Sequence, residues 1–149
     1  METQIITENN RLRTFSKEFE GTLPEALKIF VTLRKAMEEH KGIGCAGIQI
    51  DLPVRIFAAG NPAQLFINPR IVSKSSVTKS DWEGCLSCPN AMVKVRRSHS
   101  IELEYETILE DRIEKVKTKF KGFDARVIQH EFDHLNGILI IDKGKVYRP

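Results

Sequence analysis

The chain has few cysteines, three in 149 residues. Three thiols cannot all pair within one chain, so a disulfide scaffold is excluded and a reducing compartment is expected. In such a compartment a special cysteine is expected to be a metal ligand or a nucleophile. Long apolar stretches are also missing. Uninterrupted runs such as Ile138-Leu139-Ile140-Ile141 reach only four residues, against about 20 for a membrane-spanning helix. The opening Met1-Glu2-Thr3-Gln4 lacks a basic region followed by an apolar one, and Glu2 and Glu8 are foreign to transit peptides. The expected location is therefore the cytoplasm. An excess of one charge is lacking too: 23 Lys and Arg against 20 Asp and Glu leave a net charge of +3. That balance gives no ground for specific DNA binding, although weak attraction to ribosomal RNA stays compatible with it. No repeat, low-complexity tract or Gly/Ser-rich linker interrupts the sequence, so residues 1–149 are expected to form one domain; a monomer is the expected state.

What is present is a clear pattern of elements. Thr22-Leu23-Pro24-Glu25 reads as a capping box with proline in the first helical turn. Leu23, Leu27, Phe30, Leu33 and Met37 then recur at helical spacing, and Lys41-Gly42 closes the pattern, which predicts a helix over Thr22–His40. Strand character follows at Val54-Arg55-Ile56-Phe57, with a turn at Asn61-Pro62. Leu65-Phe66-Ile67 and Ile71-Val72 read as two short extended pieces on either side of Asn68-Pro69. Lys94 to Arg97, interleaved with Val93 and Val95, reads as the solvent face of a strand. Ser100 to Glu106 alternates strictly and is expected to turn at Glu110-Asp111 into a partner strand with Val116, Thr118 and Phe120. A second helix is expected over Asp124–Leu135, capped by Asp124 and stopped by Asn136-Gly137. The fold class is α+β, with antiparallel strands and two main helices.

The second helix carries His130-Glu131-Phe132-Asp133-His134. A spacing of four puts both imidazoles on one face, about 6 Å apart along the axis. Glu131 then stands beside the ion as a candidate general base, the HExxH arrangement. A catalytic site commonly takes a third protein ligand and leaves one position for water. Six residues after the second histidine stands Ile140, and none of the fifteen residues after His134 is glutamate. The third ligand is therefore expected upstream, among His40, His99, Cys45, Cys85 and Cys88. A closed Cys₂His₂ zinc site using Cys85 and Cys88 has to be weighed. However, 41 residues separate Cys88 from His130, against about 12 in a zinc finger. Cys45 and Cys88 read as small buried thiols, and His40 and His99 as surface residues.

Taken with its neighbours, Cys85 completes a resemblance to the peptide deformylase family. Three ordered motifs carry it: Gly42-Ile43-Gly44-Cys45-Ala46-Gly47-Ile48-Gln49, Glu83-Gly84-Cys85-Leu86-Ser87, and Gln129-His130-Glu131-Phe132-Asp133-His134-Leu135-Asn136-Gly137. The likeness runs from Asn10-Arg11-Leu12-Arg13 to about Asp142. It implies antiparallel sheets around a central HExxH helix, with an N-terminal helix beside them. It also implies removal of the N-formyl group from the initiator methionine of nascent polypeptides. Cys85, His130 and His134 would hold one divalent ion, Fe(II) first, with Zn(II) or Ni(II) as substitutes. The water activated there would attack the formyl carbon with Glu131 as general base and acid, while the Gln49 side chain and the Leu86 N–H would donate to the oxyanion. Ile43, Gly44, Glu83, Phe123, Arg126 and Val127 would form the substrate pocket, and Arg97 would pair with Asp133 to brace the helix.

Gly42, Gly44 and Gly47 are expected to let an extended peptide approach closely. The chain departs from the family where Cys45 replaces leucine, Gly47 alanine, Met92 arginine and Arg126 an apolar residue. Many bacterial members add a C-terminal helix, and compact forms, including virus-encoded ones, match this sequence equally well. A bacterial cytosol, or that of a virus-infected bacterium, is the setting implied. Two other readings are a related metallohydrolase with altered acyl or peptide preference, and a non-catalytic, metal-stabilised binding protein.

Overall fold

The computed structural model describes residues 2–7 and 9–149; Met1 and Glu8 lie outside the described residues. The described chain contains three helices, α1 (Asn9–Leu12), α2 (Leu23–His40) and α3 (Gly122–Leu135). Its strands are β1 (Gly44–Ala46), β2 (Ile56–Ala59), β3 (Gln64–Lys74), β4 (Thr78–Cys85), β5 (Cys88–Ser98), β6 (Ser100–Leu109), β7 (Arg112–Lys121) and β8 (Val146–Tyr147). Five strands form one antiparallel sheet in the order β1-β2-β3-β6-β7, and β4-β5-β8 form a second. The α+β class expected from the sequence is the observed one.

The five-stranded sheet is sandwiched between helices, and β2 shows why its sequence is apolar throughout. Phe57 and Ala59 face α3, in a cluster with Phe66, Leu103, Tyr105, Ala125, Val127, Ile128 and Leu135. Ile56 and Ala58 face α2, packing with Ala26, Leu33, Ala36 and Met37. A strand buried on both sides has no polar face to alternate with. The Phe57 and Phe66 rings stack at 4.7 Å between centroids, directly beneath α3.

Helix α2 matches its predicted span. Thr22 is its N-cap and accepts the Glu25 N–H at 3.4 Å, while Lys41 takes a left-handed conformation at its end. In β3, by contrast, the two expected pieces are one strand. The ladder with β6 shifts register between Ile67 and Arg70, and this bulge absorbs Pro69, which cannot donate to the ladder, and Asn68 at φ 48°. The Asn68 side chain fastens the bulge by bonding the Phe19 N–H and carbonyl at 2.8 and 3.0 Å.

Helix α3 starts earlier than expected, at Gly122, with Lys121 at the cap position; Asp124 lies in its first turn and does not cap it. Its C-terminus is tied down. Arg55 donates to the Leu135 carbonyl and to Asn136 Oδ1, both at 3.0 Å, placing a cation at the negative end of the helix dipole. Gly137 follows at φ 72°, where an added Cβ would stand 2.4 Å from the Arg13 carbonyl oxygen. Only glycine fits that crossing. The C-terminal end of the helix bearing the histidines is thus fixed by tertiary contacts.

Candidate metal centre

Three side chains from two units of the fold converge on one point. The β4–β5 hairpin brings Cys85, and one face of α3 brings His130 and His134. A ligand atom from each of these side chains lies within 4.8 Å of the other two. Cys85 Sγ is 3.4 Å from His134 Nε2, and the two imidazole centroids are 5.2 Å apart. Cys45, Cys88, His40 and His99 do not join the cluster. Cys45 is fully buried in the α2 core, as the sequence suggested, whereas Cys88 is only half-buried.

The hydrogen bonds around the cluster suit cation binding. His130 Nδ1–H donates to Glu83 Oε1 at 2.9 Å, which leaves the Nε2 lone pair free. Burial alone would lower His130, but this hydrogen bond carries it above the ordinary histidine value. Burial holds His134 well below that value, so its ring is neutral. Contact with the Cys88 thiol, and then burial, push the Cys85 thiol upward. A half-buried thiol of this kind ionises when a cation takes it as a ligand. Glu131 Oε1 and His134 Nδ1 are buried with no hydrogen-bond partner. An orphaned carboxylate oxygen beside a soft S,N,N donor set fits a transition ion with a water beside it, and one thiolate with two imidazoles suits Fe(II), Zn(II) or Ni(II) better than Mg²⁺ or Ca²⁺. Burial also pushes Glu131 up to about 7.

Glu83 is the hub of the surrounding shell. Arg97 grips it with two hydrogen bonds of 2.7 and 2.9 Å, and Arg126 Nη1 adds a third at 2.6 Å. Burial alone would raise this carboxyl, yet the His130 and Arg97 bonds hold it at about 2. Arg97 also reaches Asp133 at 2.9 Å, so the expected brace between the hairpin and α3 forms. Arg97 therefore does not belong to a solvent face, as the basic stretch had suggested. It shares the buried register of Val93 and Val95, and that two-residue parity was the overlooked signal.

Arg126 is neither a free surface arginine nor a free charge in the pocket. Its guanidinium is fixed by Glu83, the Val95 carbonyl at 2.9 Å and the Lys79 carbonyl at 2.6 Å.

Gln49 is buried on the short turn Gly47–Ile50. Its Oε1 accepts the Ala46 N–H at 3.0 Å, which fixes the amide orientation, and Nε2 donates to Ser87 Oγ at 3.0 Å with Cys85 Sγ at 3.7 Å. Ser87 gave no signal of this role beyond its place in the second motif. Each of the three glycines lies where an added Cβ would meet an atom of the chain itself. A Cβ on Gly44 would stand 2.6 Å from Glu131 Oε2, one on Gly42 2.9 Å from Leu86 Cδ1, and one on Gly47 2.6 Å from the Leu52 carbonyl oxygen. A cavity of about 380 Å³ opens onto the cluster, and Ile43, Gly44, Gln49, Glu83, Leu86, Phe123, Arg126, Val127 and Glu131 all border it.

Comparison with known proteins agrees with this picture. The family model for polypeptide deformylase matches residues 3–148. A peptide deformylase of Thermotoga neapolitana is 40% identical over 124 residues, covering 81% of this chain and 74% of the relative. The crystal structure of the Thermotoga maritima peptide deformylase superposes with a TM-score of 0.91 at 33% identity, covering 97% of this chain and 99% of the other. A peptide deformylase from Acinetobacter baumannii with Met-Ala-Ser bound superposes with a TM-score of 0.89 at 26% identity, covering 96% and 98%.

Proposed function

The chain belongs to the peptide deformylase family, enzymes that hydrolyse the N-formyl group of nascent polypeptides, and from that premise we propose how its own residues carry the reaction. The observation that carries the reading is the convergence of Cys85, His130 and His134 beside the unpartnered Glu131 carboxylate. In this reading Cys85 Sγ and one nitrogen of each histidine hold one divalent ion, Fe(II) first and Zn(II) or Ni(II) as substitutes. When bound, such an ion acidifies a water and polarises the formyl carbonyl.

The remaining steps belong to the side chains. Glu131 Oε1 accepts a proton from the attacking water and later delivers it to the departing amine. Its value of about 7 suits both directions near neutrality. Gln49 Nε2–H and the Leu86 backbone N–H donate to the formyl oxygen as negative charge develops on it. Loss of one such donor typically costs about 10²–10³ in rate. Glu83 orients His130 and does not itself contact substrate.

The substrate is an extended N-formylmethionyl peptide. β1 is an edge strand, so a peptide laid beside it extends the five-stranded sheet. The methionine side chain then enters the cavity between Ile43, Phe123 and Val127. Arg126, its charge already bound, offers that cavity only its methylene stem. We place the enzyme in a bacterial or virus-infected bacterial cytosol, residues 1–149 acting as one monomeric catalytic domain with at most weak attraction to the ribosome.

A panel of N-formyl and N-acetyl peptides varied at the first residue tests the proposal. Formyl-Met peptides are expected to react, with N-acetyl peptides left intact. Efficient release of acetate would redirect the account to a hydrolase of altered acyl preference.

A further inference from the structure

Cys88 has no part in the chemistry above, yet it is the antiparallel partner of Cys85 across the two-residue turn Leu86-Ser87. Partner residues in an antiparallel ladder have Cα atoms about 4.5–5.5 Å apart with side chains on the same face, and disulfides span about 4.4–6.8 Å. Both thiols pack against the same small cluster of Val93, Val95, Ile140, Ile141 and Val146. Both are half-buried and free, whereas Cys45 is buried in a different core. The metal-ligand set stops at Cys85, His130 and His134, so Cys88 stands beside that set without joining it. Next to the pair, four residues of β5 (89–92) face the single residue Gly84, with Asn90 in a left-handed turn. This bulge interrupts the regular ladder directly beside the Cys85–Cys88 pair.

We propose that Cys85 and Cys88 form a reversible disulfide when the protein meets a hydroperoxide, withdrawing Cys85 from the metal set and protecting it from irreversible oxidation. The proposal rests on the reading of Cys85 as a metal ligand. The Cys88 sulfur attacks the distal peroxide oxygen; the O–O bond breaks, an alcohol or water leaves, and Cys88 becomes a sulfenic acid. The Cys85 sulfur then attacks the Cys88 sulfur, an S–S bond replaces the S–O bond, and the hydroxyl leaves with a proton as water. Two thiols lose two electrons in all, and the hydroperoxide takes both. With Cys85 tied to Cys88, the ion keeps two of its three protein ligands and dissociates. A thiol reductant restores Cys85, and fresh metal restores the site. Without Cys88, sulfenic acid formed at Cys85 proceeds to sulfinic acid, which thiols do not reverse.

The test uses the full chain, metal-loaded, as wild type and Cys88→Ser. Metal per chain is measured before hydrogen peroxide is added, and that number alone reports on the ligand reading. After limited peroxide treatment, trypsin releases Ser80–Lys94, which contains both cysteines. In wild type this peptide is expected to be about 2 Da lighter than its dithiol form, with bound metal lost and both changes reversed by dithiothreitol plus metal. In Cys88→Ser, activity before peroxide is unchanged, Cys85 gains about 32 Da, and reductant restores nothing. A wild-type peptide gaining 32 Da at Cys85 with Cys88 still a free thiol overturns the proposal. So does equal recovery of the two proteins.

Discussion

Glu83 Oε1 accepts the His130 Nδ1–H at 2.9 Å, while the rest of the same carboxylate is held by Arg97 and Arg126. One residue of β4 thereby sets the tautomer of a ligand candidate on α3 and anchors the hairpin that supplies Cys85. Metal-ligating histidines depend on such partners for orientation and basicity.

Replacing Glu83 tests that dependence. Glu83→Gln keeps the size but weakens the acceptor, and metal affinity is expected to fall about 10–100-fold in a chelator competition titration. The same change leaves the mostly buried Arg126 without a carboxylate, so urea unfolding is expected to show a loss of up to about 3 kcal/mol. Unaltered affinity in a folded variant would separate Glu83 from the metal site.

Gly44 is required because Glu131 occupies the space of its side chain. In Gly44→Ala the added Cβ stands 2.6 Å from Glu131 Oε2 and must displace it. Turnover is expected to fall about 100-fold, as for an ångström-scale misplacement of a catalytic group. The accompanying destabilisation is about 1–3 kcal/mol, typical of overpacking. Steady-state kinetics with circular dichroism on the same sample checks both.

Gln49→Leu removes the amide donor while keeping an apolar side chain of similar length. The expected result is a drop of about 10²–10³ in kcat with a much smaller change in KM, the mark of an interaction made in the transition state. An equal rise in KM with kcat unchanged would make Gln49 a substrate-binding residue instead.

Acid stability has a traceable contributor in the pair that joins the two ends of the chain. Arg13 Nη1 and Nη2 hydrogen-bond Asp142, and hydrogen bonding to Arg13 is the main cause that lowers the Asp142 carboxyl below its ordinary 3.8. A carboxylate lowered in the folded state stabilises fully above its unfolded value and loses that contribution as pH falls through its folded value. The pair is partly exposed, so water screens it and the effect is small. Between pH 5 and pH 3, wild type is expected to lose stability more steeply in urea than Asp142→Asn. Parallel curves would show that the pair contributes nothing.

The convergence of Cys85, His130 and His134 was legible in the sequence because its signals are local. The four-residue histidine spacing, the second motif and the α2 capping box each lie within a few residues of one another. The misread parts depend on partners far along the chain. Pro69 signals a break locally, but pairing with β6 carries the strand through it on a bulge. Asp124 has the chemistry of a cap, yet the β7–α3 junction starts the helix at Gly122, which adopts φ 63°. Glu83 does border the pocket, but its role as the hub of the shell depends on Arg97, fourteen positions away, and Arg126, forty-three away.

The central claim is tested most directly by formate release from N-formyl-Met-Ala-Ser, with the protein loaded anaerobically with Fe(II) and metal counted on the same batch. Wild type is expected to bind one ion per chain and release one formate per peptide. Glu131→Gln is expected to retain the ion and lose turnover by at least about 10³-fold, since it keeps the ligands and loses the proton carrier. Formate release undiminished in Glu131→Gln, or an intact formyl peptide after incubation with fully loaded wild type, would contradict the account.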